Sequence, residues 1–424
     1  MLDVNFVREH PDQVKANERK RNRDEQSVDQ VLQADSLWRA SLKEVEALKH
    51  RRNVVSQEIN LLKKAGKNGA EKIKEMQSTV LAIGTQEEKA DRWIQERNKH
   101  LRQLGNILHP KVPLGKDASQ NVEIKSWGKK SHFPFPVRNH AEWAETQGWA
   151  DFEASAKTSG KGFYFLQGDL ALLNQALIRF ALDQMCKKGY TYIEPPLLLR
   201  QEILDAAIDA GEWDQTIYRI QGEDLALIGT SEHALLGMHT GAVLPEQELP
   251  KKYFAYSMCF RKEVGSHGIN EKGLWRTHQF NKVEQFIFCA PEESEKYFTE
   301  LLKNSEKILQ ELGLPYRVIE LCSGDLSLWK HRSYDLEVWR PPLQAYGEVM
   351  SLSNCTDYQA RKLEIKMMRK DRNREVIHTL NNTALATSRI MVAILENFQT
   401  KEGTVKIPKV LWPYLGGMKI LGKK

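Results

Sequence analysis

The sequence predicts an α+β chain in two parts: a helical arm over residues 1–110 and a strand-rich domain over 111–424. Two observations lead there. No proline stands between Pro11 and Pro110, charge is dense, and from Ile73 apolar residues recur in alternating steps of three and four. That is the spacing of one helix packed on another. Beyond Pro110 the chain changes to β-prone runs punctuated by glycine and proline, the pattern of strands joined by turns.

The arm's stronger seam runs through Ile73, Met76, Val80, Ile83, Glu87, Ala90, Ile94, Arg97, Leu101, Leu104 and Leu108, with charge interrupting at Glu87 and Arg97. A weaker seam precedes it at Trp38, Leu42, Val45, Val55, Ile59 and Leu62, broken by Lys49 and Arg52. Ala65-Gly66-Lys67-Asn68-Gly69 marks a turn between them. Two antiparallel helices of roughly 35 residues give an arm about 50 Å long. The plainest use of such a hairpin is oligomerisation or scaffolding. Its basic clusters, Lys49, Arg51 and Arg52, then Lys63, Lys64 and Lys67 near the tip, add a surface that can follow an RNA backbone through its phosphates. Each lysine taken singly is equally a solvated one.

Residues 105–137 read as a linker, rich in Pro and Gly. A helix is expected over 170–187, stopped at Gly189, with a strand over 190–193 ended by Pro195-Pro196. In residues 225–236 a hydrophobic run meets Thr230-Ser231-Glu232, locally a helix N-cap with an acid in the first turn. Strands are expected over 325–338 and 345–353, divided by Pro341-Pro342. Glu348 and Ser351 lie three apart in the second, hence on opposite faces unless a bulge intervenes. In residues 378–399, Ala384, Leu385, Ile390, Ala393, Ile394 and Leu395 predict a buried helix carrying Arg389. An arginine there is costly without an anion.

The stretch richest in chemistry is a hairpin, with strands expected over 253–263 and 276–288 around a loop holding Gly265, Gly268 and Gly273. Strand alternation gives Arg261 and Glu263 one face, and Phe280, Lys282 and Glu284 one face of the partner. Such a surface is poor core material. It suits a polyanion bearing a planar base, with Arg for a phosphate, Phe for stacking and Glu for an amine; the plain alternative is a solvated hairpin face.

Composition sets bounds. At 41% hydrophobic and 28% charged residues the chain reads as soluble and globular, and no apolar run approaches the roughly 20 residues that span a bilayer. The first residues show no apolar core of a secretory signal. Five cysteines without a C-x-x-C pair read as buried thiols of a reducing compartment, with no structural zinc. A net charge of +6 permits a nucleic-acid partner without requiring one.

These residues also carry a family resemblance. F-R-x-E at 260–263, then G-L-x-R-x-H-Q-F-x-K-x-E at 273–284, resembles motif 2 of class II aminoacyl-tRNA synthetases in the form of the seryl-tRNA synthetases. Residues 170–196 resemble motif 1, Thr230–Glu232 the T-x-E serine element, and 378–399 motif 3. The arm is similar to that family's N-terminal coiled coil, so the resemblance spans essentially the whole chain. V-G-S-H-G at 264–268 and N-C-T-D-Y-Q-A-R at 354–361 look closer to the archaeal and eukaryotic cytosolic branch than to the bacterial one, and nothing looks like the zinc-dependent form of some methanogens. The lack of G-x-G-x-x-G or GK[ST] agrees with a class II core.

The resemblance implies an antiparallel-sheet core and a role for each matched residue. Arg261 would hold the ATP α-phosphate beside the serine, and Glu263 the adenine amino group, with the adenine between Phe280 and Arg389. Glu348 and Ser351 would serve the nucleotide and its Mg²⁺. Thr230, Glu232, Glu284 and Thr383 would form the serine pocket, with Asn381 beside it. Arg261, Glu348 and Arg389 would carry catalysis, and the arm would reach tRNA(Ser), or tRNA(Sec) where present. A homodimer through 170–196, ATP and Mg²⁺ without zinc, no membrane partner and a cytoplasmic location complete what it implies. The chain departs from the family wording at Leu352, where a cysteine is frequent, and at Ile269 and Lys272 in the motif 2 loop, where arginines are frequent. The second departure bears on acceptor-stem contact. Rival readings are a carrier-protein ligase on the same core, which would lack the arm, and a silent paralogue, which loss of Arg261, Glu284 or Arg389 would favour; all three are present.

Overall fold

The structure, a computed structural model, describes residues 1–208, 213–264 and 273–422. The chain forms two compact units, Met1–Gly105 and Asn106–Lys424.

In the first unit, α1 (Val4–Glu9) and α2 (Pro11–Lys20) precede the hairpin of α3 (Gln26–Lys64) and α4 (Ala70–Leu101). The seam differs in phase from the heptad reading. Ser41 and Thr79 are buried, whereas Leu42 and Val80 are exposed, the latter by 50%. A straight α-helix drifts against a strict 3.5-residue repeat, and both small residues satisfy their hydroxyls on the preceding turn, Ser41 on Leu37 O (2.9 Å) and Thr79 on Glu75 O (2.8 Å). Leu108 lies outside this seam; it packs in the second unit beside Val112, Ile319, Leu321 and Leu326. Arg97 is buried against Asp35 (3.3 Å) and over the Trp38 ring (4.5 Å). Asp35 also receives Arg8 (3.0 Å) and Arg39 (2.9 Å), so one buried carboxylate ties three elements together.

The second unit is built on an eight-stranded sheet. In chain order its elements are β1 (Val122–Trp127), α5 (His140–Thr146), α6 (Gly168–Lys187), β2 (Thr191–Ile193), α7 (Ser231–Gly237), β3 (Lys251–Phe260), β4 (Gln279–Cys289), α8 (Ser294–Leu312), β5 (Tyr316–Glu320), β6 (Arg332–Arg340), β7 (Ala345–Thr356), β8 (His378–Ala386) and α9 (Thr387–Asn397). The sheet order is β1-β5-β6-β7-β8-β4-β3-β2. Every neighbouring pair is antiparallel except β2 with β3. Leu173, Leu177 and Phe180 of α6, Leu301 and Ile308 of α8, and Ile390 and Ile394 of α9 join strand residues such as Val283 and Leu336 in the main core.

Several elements differ from their sequence reading. The stretch 105–137 contains β1, an edge strand paired to β5 from Val122↔Glu320 to Trp127↔Tyr316; all its residues are exposed, so no burial pattern marks it. The strand expected from 325 begins at Arg332. The helix expected from Ala384 begins at Thr387, because 378–386 is the central strand β8, buried along nearly its whole length. A short run buried on both faces cannot be told from a helix by periodicity. Cys186 is exposed, unlike the other four cysteines. On the motif 2 hairpin the ladder ends at Phe260, with Arg261 N still bonded to His278 O (2.9 Å). At Glu263 the backbone turns into the left-handed region, φ +51°. Gly265, Gly268, Ile269 and Lys272 lie outside the described residues.

Candidate active site

Thr230, Glu232, Arg261, Glu263, Phe280, Glu284, Glu348, Ser351, Asn381, Thr383 and Arg389 all line one cavity of about 440 Å³. Strands β4, β7 and β8, the segment just after β3, the first turn of α7 and the first turn of α9 bring them together. The cavity has two chemically distinct ends.

At one end stand the arginines. Arg261 donates from Nε to Gly229 O (3.1 Å), and its guanidinium sits 5.4 Å from the Phe280 ring centre. Arg276 pairs with Glu263 (2.8 Å). Arg389 donates to Glu348 O (2.9 Å) and lies 3.2 Å from the same residue's carboxylate, with Trp275 under it at 5.6 Å. Enclosure by the protein works to raise the Glu348 carboxyl; the charge and hydrogen bond of Arg389, with Arg261 beyond, outweigh it and hold the group below the usual range.

Glu348 and Ser351 reach this cavity together because β7 carries a bulge. Ser351 pairs with Asp335 and Met350 with Leu336, but Glu337 pairs with Glu348, leaving Val349 over. One extra residue reverses the alternation, so two side chains three apart share a side. The register also brings in Asp335, a residue the sequence reading missed. Its Oδ1 is buried with no partner among the described residues, and burial, with the charge of Glu348 nearby, pushes its carboxyl up to about 7. It carries no distinct sequence signal, since the same strand also holds Arg332, Glu337 and Arg340.

The other end is lined by two carboxylates and their amide and hydroxyl partners. Thr230 accepts from the Glu232 backbone N–H (3.2 Å) and so caps α7, while the Glu232 carboxylate accepts from Gln359 Nε2 (3.0 Å) and Asn381 Nδ2 (3.1 Å). Thr230 and Glu232 thus make both the N-cap and part of the cavity wall. Thr379 fixes the Gln359 amide by donating to its Oε1 (2.7 Å). Burial, then the charge of Glu284, raises the Glu232 carboxyl. Glu284 accepts from Lys282 (2.6 Å) and Thr383 Oγ1 (3.3 Å). His233, beside them, is driven down to about 3 by burial and then by Arg261, so its ring is neutral. Gln359, which meets the Glu232 carboxylate, and the lining residues His233 and Trp275 carried no signal in the sequence, since each is brought there by elements distant along the chain.

Outside the cavity, the arm's basic residues divide. Lys49 pairs across the hairpin with Glu87 (2.7 Å) and Arg51 with Glu75; Arg52 bonds to Asn53 Oδ1 (3.2 Å); Lys63, Lys64 and Lys67 are exposed at the tip. In the second unit His109, Glu295 and His331 bring ligand atoms within 4.8 Å. Lys111 N–H donates to His109 Nδ1 (3.1 Å), and Arg332 and Asn354 approach the Glu295 carboxylate (3.5 and 3.3 Å), which makes the trio a hydrogen-bonded cluster. Among the described residues no helix is long and apolar enough to cross a membrane.

A mostly antiparallel sheet whose cavity gathers two arginines, an aromatic ring and several carboxylates agrees with the class II aminoacyl-tRNA synthetase core that the sequence resembles. Residues 216–398 match the family model described as tRNA synthetase class II core domain (G, H, P, S and T), and residues 1–108 match the seryl-tRNA synthetase N-terminal domain. A serine–tRNA ligase from Methanocella arvoryzae is 46% identical, covering 99% of this chain and all of that one. The crystal structure of seryl-tRNA synthetase from Pyrococcus horikoshii complexed with ATP superposes with a TM-score of 0.93 at 40% identity, covering 99% of each chain. The cytoplasmic serine–tRNA ligase of Naegleria fowleri in complex with AMP gives 0.89 at 34% identity, over 99% of this chain and 98% of that one. The chain belongs to the seryl-tRNA synthetases, with its likeness on the archaeal and eukaryotic-cytosolic side. With the family comes its reaction, the ATP-dependent ligation of serine to tRNA.

Proposed function

We propose that the arginine end of the cavity takes ATP and the carboxylate end takes serine. In this reading Arg261 meets the α-phosphate, Phe280 and Arg389 enclose the adenine, and Glu263 accepts from its amino group. The serine ammonium lies near Glu232 and Glu284, whose mutual repulsion it relieves. Thr383, Asn381 and Thr230 meet the rest of the substrate. The observation that carries the reading is the Val349 bulge, which puts Glu348 and Ser351 on the side of Arg261 and Arg389.

The chemistry needs no covalent enzyme intermediate. The serine carboxylate oxygen attacks the α-phosphorus and pyrophosphate leaves; the tRNA terminal hydroxyl then attacks the seryl carbonyl and AMP leaves. The protein contributes position and preset positive charge. Buried polar partners for the serine hydroxyl reject alanine by roughly 10⁴-fold, because those partners would be left unpaired. Glu348, Ser351 and the partnerless oxygen of Asp335 offer a hard oxygen donor set that fits Mg²⁺. When bound there, Mg²⁺ neutralises charge on the phosphates. Zinc has no part in this reading, in which the oxygen groups of Glu232, Glu284 and Thr383 meet the amine by hydrogen bonding.

The further parts of the proposal concern partners. The exposed lysines at the tip support tRNA(Ser) binding by the arm, and tRNA(Sec) where that tRNA exists. The α6–β2 region, where Leu172 is 54% exposed, is read as the face of a homodimer, which sedimentation at micromolar concentration tests; an active monomer would overturn it. The protein is read as cytoplasmic. ATP–pyrophosphate exchange across a panel of amino acids tests the core assignment. Serine should drive exchange with Mg²⁺ and without added zinc, and exchange with threonine, glycine or alanine but not serine would refute it.

A further inference from the structure

Three buried polar side chains of the catalytic unit have no part in the reaction as described: His140 of α5, Arg340 at the end of β6 and Glu396 of α9. Arg340 grips Glu396 with two hydrogen bonds, Nε to Oε2 (2.8 Å) and Nη2 to Oε1 (2.7 Å). His140 Nδ1 meets the same Oε1 at 2.9 Å. The backbone N–H of Leu274 donates to His140 Nε2 (3.1 Å). An N–H can only donate, so Nε2 is the acceptor and Nδ1 bears the proton given to Glu396. Glu396 is fully buried, and Arg340 and His140 are 7% exposed. A buried ion cluster seldom stabilises more than a well-packed apolar replacement would, so a structural role alone explains it poorly.

The cluster leads to the cavity. Leu274 and Trp275 are the first residues of the motif 2 return after Gly273, and Leu274 is fully buried. The Arg340 guanidinium lies 4.1 Å from the Trp275 ring centre, and that of Arg389 lies 5.6 Å from it. Two glycines let the parts close up. A Cβ at Gly347 would stand 2.5 Å from Trp275 Cζ2 and 3.0 Å from Arg340 Cδ; one at Gly273, where φ is +151°, would stand 2.5 Å from His140 Nε2. The one indole therefore meets two guanidiniums, one buried with Glu396 and one lining the cavity.

We propose that His140, Glu396 and Arg340 form a positioning network that fixes Leu274 and Trp275, and that the Trp275 indole in turn holds the Arg389 guanidinium at the nucleotide end of the cavity. The inference rests on the reading of Arg389 as a nucleotide contact. None of the three buried residues need touch substrate; their influence passes through the indole.

The test is ATP–pyrophosphate exchange on the full chain, with the ATP and serine KM measured separately for Trp275→Leu, Trp275→Phe, His140→Ala, Arg389→Ala and the double variant Trp275→Leu/Arg389→Ala. Trp275→Leu should raise the ATP KM roughly 10-fold and leave the serine KM within about twofold, and Trp275→Phe, which keeps a ring face, should recover most of the loss. His140→Ala should give the same ATP-selective change, and if it fails to fold the two Trp275 variants still decide. In the Arg389→Ala background Trp275→Leu should add less than about twofold, since residues acting through one group are not additive. If Arg389→Ala raises the ATP KM but Trp275→Leu does not, or the two effects multiply in full, the positioning network is wrong. If Arg389→Ala itself leaves the ATP KM unchanged, the nucleotide reading of Arg389 falls first.

Discussion

The arm and the catalytic unit are both rich in charge, but they use it in opposite ways. In the arm, Lys49 with Glu87, Arg51 with Glu75 and Lys72 with Glu58 pair across the helices, half in water, and each neutralises the other. In the catalytic unit Glu232, Glu284, Glu348 and Asp335 line one cavity, where burial, and then a neighbouring carboxylate, raises the carboxyls of Glu232 and Asp335. The lesson is that charge density is a weak sign of function. What marks a site is charge that the fold encloses and leaves incompletely answered, so that a ligand completes it.

Deleting the arm should separate the two regions most sharply. Loss of residues 28–108 should leave serine-dependent exchange nearly intact while aminoacylation falls by roughly 10²-fold or more, as removal of several phosphate contacts would require. Equal loss of both activities, in a protein that circular dichroism and sedimentation show to be folded, would erase the division. A smaller effect should come from the cavity. Thr383→Val keeps shape but removes a hydroxyl, costing about 0.5–1.5 kcal/mol, or up to about 3 if the serine hydroxyl is left unsatisfied. It should show in the serine KM or kcat/KM and not in the ATP KM. Glu284→Gln should cost more, because it removes a charge facing the substrate; a lower melting temperature with unchanged serine kinetics for both would make them packing residues. The smallest effect belongs to the arm surface. Glu87→Ala should change thermal stability by no more than the 0.2–1 kcal/mol or so of an exposed pair, and exchange should be unaffected. A collapse of the hairpin on that substitution would show that its pairing is more than superficial.

Much of this was legible in the sequence where local rules suffice. Strand alternation placed Phe280, Lys282 and Glu284 on one face of β4, and all three line the cavity. The helix of 170–187 appears as α6, with Gly189 at its end at φ +77°. Legibility failed where position depends on a distant partner. Val349 is an ordinary strand residue, and only its pairing with β6 makes it a bulge. Asp335 acquires meaning from lying opposite Ser351, and Trp275 from meeting both Arg340 and Arg389. In the arm, the exposed Val80 and Leu42 look like seam residues by chemistry; the helix's own pitch turns Thr79 and Ser41 inward instead.

The spare residue in β7 makes that strand unequal toward changes of length. Without Val349 the pairing with β6 could run unbroken, and Ser351 would stand two places from Glu348, still on the same side. With one residue more and the single-residue bulge kept, Ser351 and Ser353 would turn over to the side occupied by the core helices, and the oxygen donors would part. Shortening at this point should therefore be survivable and lengthening should not. The magnesium concentration needed for exchange in the two length variants would expose the difference. A family that drifts in length here should lose residues more readily than it gains them.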